Sequence, residues 1–264
     1  MIGILPEFAI EMAAVSDVGT ARGRNEDSCA CVPELGLVAV ADGVSGGLGG
    51  DTASRMAVEA TCRAFREQPA SLPMVKRLAR AAQQANIEVH ELSLFVPELR
   101  GMSTTLTAAV IDRGQLFAAH VGDSRLYLLR GGALSQVTKD HTAAAEQVRI
   151  GVSGDPSSVL TRSLGHDLIC ALDRISLPLL QGDALVLCSD GLHRVLTDAE
   201  MEALLRGADA AAACRALIDA ANSRGTPDNL TAAVVRMTGP IPPQERPPRL
   251  GERILKLVEA LRTA

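Results

Sequence analysis

Apolar and polar positions alternate through the middle of the chain in the way that is typical of half-buried strands. β-branched and alternating apolar residues predict strands there. These predicted strands lie at residues 102–112, 115–123, 125–138 and 175–190. Two glycine-containing segments, residues 112–114 and 130–132, predict tight hairpin turns between them. Strands joined by tight turns run antiparallel, so the pattern argues against a doubly wound parallel sheet.

Other parts of the chain follow a helical period. Apolar residues at helical spacing predict helices at residues 51–66, 71–95 and 208–223. Thr197 followed by Glu200 fits a capping box that begins a further helix. Additional strands are predicted at residues 8–18, 35–42 and 230–237, and a short helix followed by a loop within residues 140–158. The sequence therefore predicts an α+β protein with antiparallel sheets.

The C-terminal part differs from the rest in composition. Residues 239–249 are rich in proline and predict a stiff, extended linker after a folded domain at residues 1–238. Residues 250–264 predict an amphipathic helix, whose apolar positions share one face. This helix either folds back on the domain or docks on a partner or a second copy of the chain, and the sequence favours neither alternative.

Composition narrows the classes of function. With 264 residues, 47% of them hydrophobic, the chain can bury the core of a full domain. Its net charge of -5 lacks the basic excess expected of a nucleic-acid binder or of a protein held on an anionic membrane. The chain has no Trp, one Tyr and four Phe, so we expect an aliphatic core and no recognition by stacking on bases.

The cysteines and the hydropathy indicate a cellular location. The six cysteines do not have the spacing of a zinc site, and reduced, mostly buried thiols are typical of cytoplasmic proteins. The N-terminal residues lack the basic start and apolar run of a signal peptide, and no run of about 18 apolar residues follows. We therefore expect a cytoplasmic protein without a membrane span.

Carboxylates recur where predicted strands begin or end. Asp42 and Asp190 each follow an apolar run and precede a glycine, Asp123 lies between two such runs, and Asp228 precedes the last one. A single Asp-Gly after a strand most often marks a turn. Four such acids, far apart in the sequence, can meet at one edge of a sheet and hold a cation.

Seven segments in order resemble the metal-dependent serine/threonine protein phosphatases of the PPM, or type 2C, family in their bacterial form. The resemblance covers residues 14–237. The segments are SDVGTARGRNEDS, VAVADGVSGG, GMSTTLTAAVI, AHVGDSRLYLLRGGALSQVTKDHT, VLTRSLG, LVLCSDGL and PDNLTAAVV. The family implies an αββα sandwich, in which two antiparallel sheets pack face to face with helices outside and a two-metal centre lies at one end.

The resemblance also implies a role for each matching residue. Asp42 resembles the acid that bridges both ions, and the Gly43 carbonyl resembles a ligand of one of them. Asp190 and Asp228 resemble the other direct ligands. Glu26 and Asp27 resemble the acids that reach the ions through water. Asp123 resembles the ligand of a third, weaker ion, shared with Asp190. Arg22 resembles the phosphate-binding arginine.

This ligand set suits the hydrolysis of phosphate monoesters. Carboxylates and a backbone carbonyl are hard oxygen ligands, which favours Mg²⁺ or Mn²⁺. Two such ions lower the pKa of a bridging water and offset the charge of the phosphoryl oxygens, and an arginine can hold the phosphate. We expect an enzyme that uses a bridging hydroxide to hydrolyse phosphoserine and phosphothreonine in proteins, opposing a Ser/Thr kinase. The alternative is a non-enzymatic sensor or scaffold of the same fold.

The chain departs from the family directly after its first Asp-Gly pair. Eukaryotic members place a histidine directly after the Asp-Gly pair, as a general acid, whereas this chain has Val44. Two histidines lie in matching motifs: we interpret His141 as a structural hydrogen-bonding residue and His193 as a residue of the site's rim. Neither is assigned a catalytic role from the sequence.

Overall fold

The structure is a computed structural model, and it describes residues 9–44, 49–150 and 159–240. The loop predicted at the end of residues 140–158, most of the linker and the whole C-terminal helix lie outside these ranges. Among the described residues, no helix is both long enough and apolar enough to cross a membrane.

The described residues form ten strands, six α-helices and two short 3-10 turns. The strands are β1 (Ile10–Asp17), β2 (Asp27–Val32), β3 (Leu37–Asp42), β4 (Leu106–Asp112), β5 (Gln115–Val121), β6 (Arg125–Arg130), β7 (Ala133–Gln136), β8 (Asp173–Pro178), β9 (Ala184–Cys188) and β10 (Leu230–Met237). The helices are α1 (Gly50–Glu67), α2 (Met74–Phe95), α3 (Ala143–Ile150), α4 (Asp190–His193), α5 (Asp198–Leu205) and α6 (Ala210–Ser223).

The strands form two five-stranded antiparallel sheets. The first sheet has the order β1-β10-β9-β6-β7, and the second has the order β2-β3-β4-β5-β8. Helices α1 and α2 cover the outer face of the second sheet, and α5 and α6 cover the outer face of the first. The predicted αββα sandwich is confirmed.

The central strands of each sheet are buried on both faces, and β3 illustrates how its sequence suits that position. Leu37, Ala39 and Ala41 point to the core beneath α1 and α2, whereas Val38 and Val40 point to the core between the sheets. Both sets are fully buried. A strand with two buried faces needs a continuous apolar run rather than alternation, and the run before Asp42 provides it.

Several local predictions are confirmed. The turns at residues 112–114 and 130–132 join β4 to β5 and β6 to β7, and both pairs are antiparallel. The capping box is present, since the Glu200 N–H donates to Thr197 Oγ1 while the Glu200 carboxylate accepts from the Thr197 N–H. The helix predicted from residue 71 instead begins at Met74 because Pro73 has an extended ψ of 136° and disfavours helical backbone at the residue before it.

The connectivity of the central strands differs from a simple series of hairpins. β5 lies in the second sheet and β6 in the first, so residues 122–124 cross between the sheets. The connection from β8 to β9 also crosses from the second sheet to the first. Alternation along a strand indicates which residues are buried but does not reveal which sheet the strand joins. The first crossing places Asp123 at the junction of the two sheets.

A buried histidine makes the stability of this sandwich depend on pH. His120 on β5 is buried; its Nε2–H donates to the Lys139 carbonyl over 3.0 Å, and Nδ1 lies 2.9 Å from Thr107 Oγ1. Burial, with a smaller contribution from His141, lowers the pKa of His120 from 6.5 to about 4. Between these two values the unfolded chain binds more protons than the folded one, so this contribution to stability falls as the pH falls.

We predict that His120 makes the free energy of unfolding drop by about 2 kcal/mol between pH 7.5 and pH 5. Buried acids shift stability in the opposite direction, so the informative quantity is a difference between two proteins. Urea unfolding of the parent and of His120→Gln at both pH values should show that the parent loses about 2 kcal/mol more than the variant. Equal losses would contradict the assignment of a neutral buried His120.

Candidate metal centre

The strand register brings the predicted acids to one end of the sandwich. In the second sheet, Asp27 at the start of β2 is paired with Asp42 at the end of β3. In the first sheet, β9 ends and β10 begins at the same end, since Cys188 is paired with Ala232. Asp190 and Asp228 lie just beyond those two strand termini, and the crossing segment adds Asp123. Residues that are far apart in sequence therefore share one edge.

These groups line a single cavity of about 190 Å³. Six of the predicted site residues contribute to it. The lining residues are Arg22, Asp42, Gly43, Val44, Thr105, Asp123, Leu160, Asp190, Arg194 and Asp228. The cavity thus combines four carboxylates, two guanidinium groups and one backbone position without a side chain.

The other two predicted residues, Glu26 and Asp27, lie behind the cavity lining. Asp27 Oδ2 accepts hydrogen bonds from Ser189 Oγ over 2.6 Å and from Thr231 Oγ1 over 2.7 Å. Asp27 belongs to the second sheet, whereas Thr231 lies in β10 of the first sheet and Ser189 directly follows β9 of the same sheet. This carboxylate therefore ties the sheets together next to the site. The Glu26 carboxylate lies beside the start of α1, where its Oε1 would be 3.0 Å from a Cβ atom at Gly50.

The glycines after Asp42 and Asp190 allow the strand ends to approach closely. A Cβ atom added to Gly43 would lie 2.2 Å from the Gly50 carbonyl oxygen, and one added to Gly191 would lie 2.1 Å from the Asn229 carbonyl oxygen. No side chain fits at these distances. Gly191 therefore lets Asp190 lie next to Asp228, and Gly43 lets Asp42 lie next to the start of α1.

Burial and mutual repulsion raise the pKa of several of these acids. Burial raises the pKa of Asp27 to about 7, with further contributions from Asp190 and Asp228. Burial, followed by four neighbouring carboxylates, raises the pKa of Asp42 well above its usual range. Burial and Asp190 raise the pKa of Asp123 to about 6, against the opposing effect of Arg194. The acids therefore need nearby cations in order to be ionised together at neutral pH.

Two arginines supply part of this positive charge. Arg22 Nη2 donates to Asp228 Oδ2 over 3.0 Å, and its Nε donates to the Pro227 carbonyl over 3.2 Å. Arg194 contacts two acids at once: Nη2 lies 3.1 Å from Asp123 Oδ2 and Nη1 lies 2.9 Å from Asp190 Oδ2. Two guanidinium groups do not balance the four cavity carboxylates and Asp27.

The negative charge that the arginines leave unbalanced, together with the oxygen ligands of the cavity, fits divalent cations. Carboxylate oxygens and a backbone carbonyl are the ligands that Mg²⁺ and Mn²⁺ prefer, whereas no thiol lines the cavity. Among the described residues, no three His, Cys, Asp or Glu side chains already surround one point as ligands of a single ion would. Asp228 instead contacts Arg22, and Asp123 and Asp190 contact Arg194.

Sequence reasoning missed the residues that position the acids. Thr105 Oγ1 accepts from the Asp42 N–H over 2.9 Å, and Thr104 Oγ1 donates to the Asp42 carbonyl over 2.8 Å. Asn229 accepts from the Glu26 N–H and donates to the Val18 and Arg24 carbonyls, which fixes the loop that carries Arg22. The sequence did contain a signal for these positioning residues, because they lie inside the family-like segments GMSTTLTAAVI and PDNLTAAVV.

His141 makes hydrogen bonds of the structural kind predicted for it, and His193, predicted at the rim of the site, contacts the backbone of Asp123. His141 Nδ1 accepts from the Gly122 N–H over 3.2 Å, and its Nε2 lies 3.3 Å from Asp173 Oδ2. His193 Nε2 donates to the Asp123 carbonyl over 2.9 Å. Neither of them is part of the cavity lining.

With this geometry established, comparison with known proteins identifies the family. The sequence profile of Protein phosphatase 2C matches residues 21–234, most of the chain. The chain belongs to the protein phosphatase 2C family. The fold is similar to those of the serine/threonine phosphatases of Mycobacterium tuberculosis and S. agalactiae, with TM-scores of 0.80 and 0.79 over 87% of this chain.

Individual relatives of the protein phosphatase 2C family cover nearly the whole of the described domain. The serine/threonine phosphatase stp of Listeria monocytogenes serotype 4b is 35% identical over 234 residues, which are 83% of this chain and 93% of that protein. PppA, a key regulatory component of T6SS in Pseudomonas aeruginosa, is 36% identical with a TM-score of 0.76 over 86% of this chain and 97% of its own. The catalytic domain of the phosphatase PstP, in complex with two manganese ions, is 33% identical with a TM-score of 0.78 over 87% of this chain and 99% of its own.

We predict that Mn²⁺ raises the melting temperature of the protein by roughly 5–10 °C over its value in chelator, because bound ions relieve repulsion among the acids. Asp42→Asn should melt at a higher temperature than the parent in chelator and should respond less to Mn²⁺. Differential scanning calorimetry measures both effects. An unchanged melting temperature in the parent would contradict a shared ion site.

We also predict that Gly191→Ala loses about 1–3 kcal/mol of stability, because its Cβ atom would overlap the Asn229 carbonyl and separate Asp190 from Asp228. The response to Mn²⁺ should weaken in parallel. The matched control is Gly23→Ala, since a Cβ atom there meets nothing within 4 Å. Equal effects of the two substitutions in urea unfolding would show that the close approach at Gly191 is unimportant.

Proposed function

We propose that the cavity hydrolyses phosphoserine and phosphothreonine monoesters in proteins, with two Mg²⁺ or Mn²⁺ ions held by Asp42, Asp190 and Asp228. One observation carries the proposal: these three acids and Arg22 line the same small cavity. Hydrolysis of a phosphate monoester is among the slowest uncatalysed reactions, so an enzyme must supply a nucleophile and neutralise charge at the same place. This cavity has groups suited to both tasks.

Family membership establishes the class of the enzyme. The chain is a metal-dependent protein phosphatase, because it belongs to the protein phosphatase 2C family and its relatives are named serine/threonine phosphatases. A related structure contains two manganese ions. These relatives support the enzyme and not the non-enzymatic scaffold.

The proposed ligands occupy positions that the fold keeps close together. Asp42 would be shared by both ions, Asp190 and Asp228 would complete the direct carboxylate ligands, and the Gly43 carbonyl would add a backbone ligand. Glu26 and Asp27, behind the cavity lining, would act through water. When bound, such ions lower the pKa of a water molecule and offset the charge of the phosphoryl group.

Arg22 is suited to bind the phosphate of the substrate. Its side chain is 37% exposed and is held at the cavity by Asp228 and the Pro227 carbonyl, so the guanidinium is oriented before substrate arrives. A planar guanidinium binds phosphate oxygens in pairs. Val44 and Leu160 supply an apolar border to the cavity.

The wider setting of the enzyme is also a proposal. We expect it to act in the cytoplasm on phosphoproteins produced by a cognate Ser/Thr kinase. The catalytic domain would comprise residues 1–238, and the linker at residues 239–249 would connect it to the helix at residues 250–264. That helix would dock on a partner or on a second copy of the chain, since its predicted apolar face suits such a contact.

We predict that Asp190→Ala lowers kcat/KM toward a phosphothreonine peptide with Mn²⁺ by at least about 1,000-fold, because a lost ligand removes several kcal/mol of transition-state stabilisation. Asp112→Ala is the matched control, since Asp112 lies at the far end of β4 from Thr105. It should retain activity close to that of the parent.

The same assay separates the site from the C-terminal segment. Removal of residues 241–264 should leave kcat/KM toward a short peptide close to that of the parent if the segment serves association only.

Full activity of Asp190→Ala, or an equal loss in Asp112→Ala, would contradict the proposed ligand set.

A further inference from the structure

Arg194 is the feature of the cavity that the proposed mechanism does not use. Its guanidinium lies between two acids, with Nη2 3.1 Å from Asp123 Oδ2 and Nη1 2.9 Å from Asp190 Oδ2. The two carboxylates are nearly buried, with side chains 8% and 12% exposed, whereas Arg194 is 47% exposed. One cation thus bridges two acids of different elements at the mouth of the cavity.

The local structure holds Arg194 in this position. Arg194 follows the single turn of α4, and its N–H donates to the Asp190 carbonyl over 2.9 Å. Residues four apart on a helical turn lie on the same face, so the Arg194 side chain reaches back to Asp190. The preceding residue, His193, donates from Nε2 to the Asp123 carbonyl over 2.9 Å. His193 and Arg194, which are consecutive in sequence, therefore bind Asp123 through its backbone carbonyl and its side-chain carboxylate.

We propose that Arg194 takes the place of a third divalent ion, because its guanidinium occupies the space between Asp123 and Asp190 where such an ion would bind. The inference rests on the proposed two-ion centre and refines it. In this chain the Asp123–Asp190 pair would be neutralised by a group that is covalently part of the protein. Arg194 is then a positioning residue that acts through Asp190.

The chemistry of the group favours this role. A guanidinium carries a positive charge that is part of the protein, and its rigid fork can contact two carboxylates at once. A divalent ion entering the same space would meet the positive charge of Arg194 as well as the two acids. Arg194 uses one oxygen of each acid, Oδ2, in the contacts described. The ion pair therefore competes with a third ion and leaves the second oxygen of Asp190 for the two-ion centre.

The test counts the ions that the full-length chain binds. The chain is dialysed to equilibrium against Mn²⁺ at about 1–10 mM, roughly a thousand times the Kd of a tightly bound ion. Elemental analysis then gives the number of ions per chain without an activity assay. We expect two ions for the parent and three for Arg194→Gln. The double variant Arg194→Gln with Asp123→Asn should return to two, because the third ion loses its ligand.

Two control variants separate this role from a general loss of charge. Arg206→Gln removes an arginine that is also paired with an acid four residues away, Glu202, but lies outside the cavity. It should bind two ions, as should Arg194→Lys, which keeps the positive charge. Circular dichroism establishes that each variant is folded before its ions are counted.

The outcomes are distinct. Three ions bound to the parent would overturn the inference without use of any variant, and so would two ions in folded Arg194→Gln. An unchanged ion count with a raised KM for the phosphopeptide would assign Arg194 to substrate binding instead. No bound Mn²⁺ in the parent would overturn the two-ion centre itself, and this inference with it.

Discussion

Repulsion among buried carboxylates is the constraint on which the rest of this structure depends. Asp27, Asp42, Asp123, Asp190 and Asp228 lie at one end of a sandwich whose interior is almost entirely aliphatic. Burial and proximity raise the pKa of three of them, so the folded chain without counter-ions would hold protons that the reaction does not need. Divalent ions that relieve this repulsion would stabilise the fold and neutralise a phosphate with the same charge. Stability and catalysis are coupled in this way because both depend on the same acids.

The fold meets this constraint through residues that position the acids and the strand ends that carry them. Asp27 accepts hydrogen bonds from Ser189 and Thr231 and so ties the two sheets together where the repulsion is greatest. Asn229 fixes the loop that carries Arg22. Gly43 and Gly191 provide the space in which the acid-bearing strand ends approach each other. Each of these residues positions a group at or beside the cavity.

Two arginines distinguish the two sides of the cavity. Arg22 is held by Asp228 and the Pro227 carbonyl and suits a phosphate group that arrives from solvent. Arg194 is held by Asp123 and Asp190 and suits a permanent role in charge balance. The exposed fractions of the two side chains are similar, 37% and 47%, so exposure alone does not separate these roles. The difference lies in the number of buried acids that each arginine contacts.

The sequence by itself determined most of the strands and helices, the antiparallel class and the list of acids. Residue spacing is a local property, so the strands, the capping box at Thr197 and the turn at residues 112–114 could be predicted from it. The family motifs then supplied the sandwich and the roles of the acids. Only the tertiary structure decided that β5 and β6 belong to different sheets, that Asp27 faces Ser189 and Thr231, and that Arg194 lies between Asp123 and Asp190. These contacts join residues from separate elements, and no local pattern encodes which elements will meet.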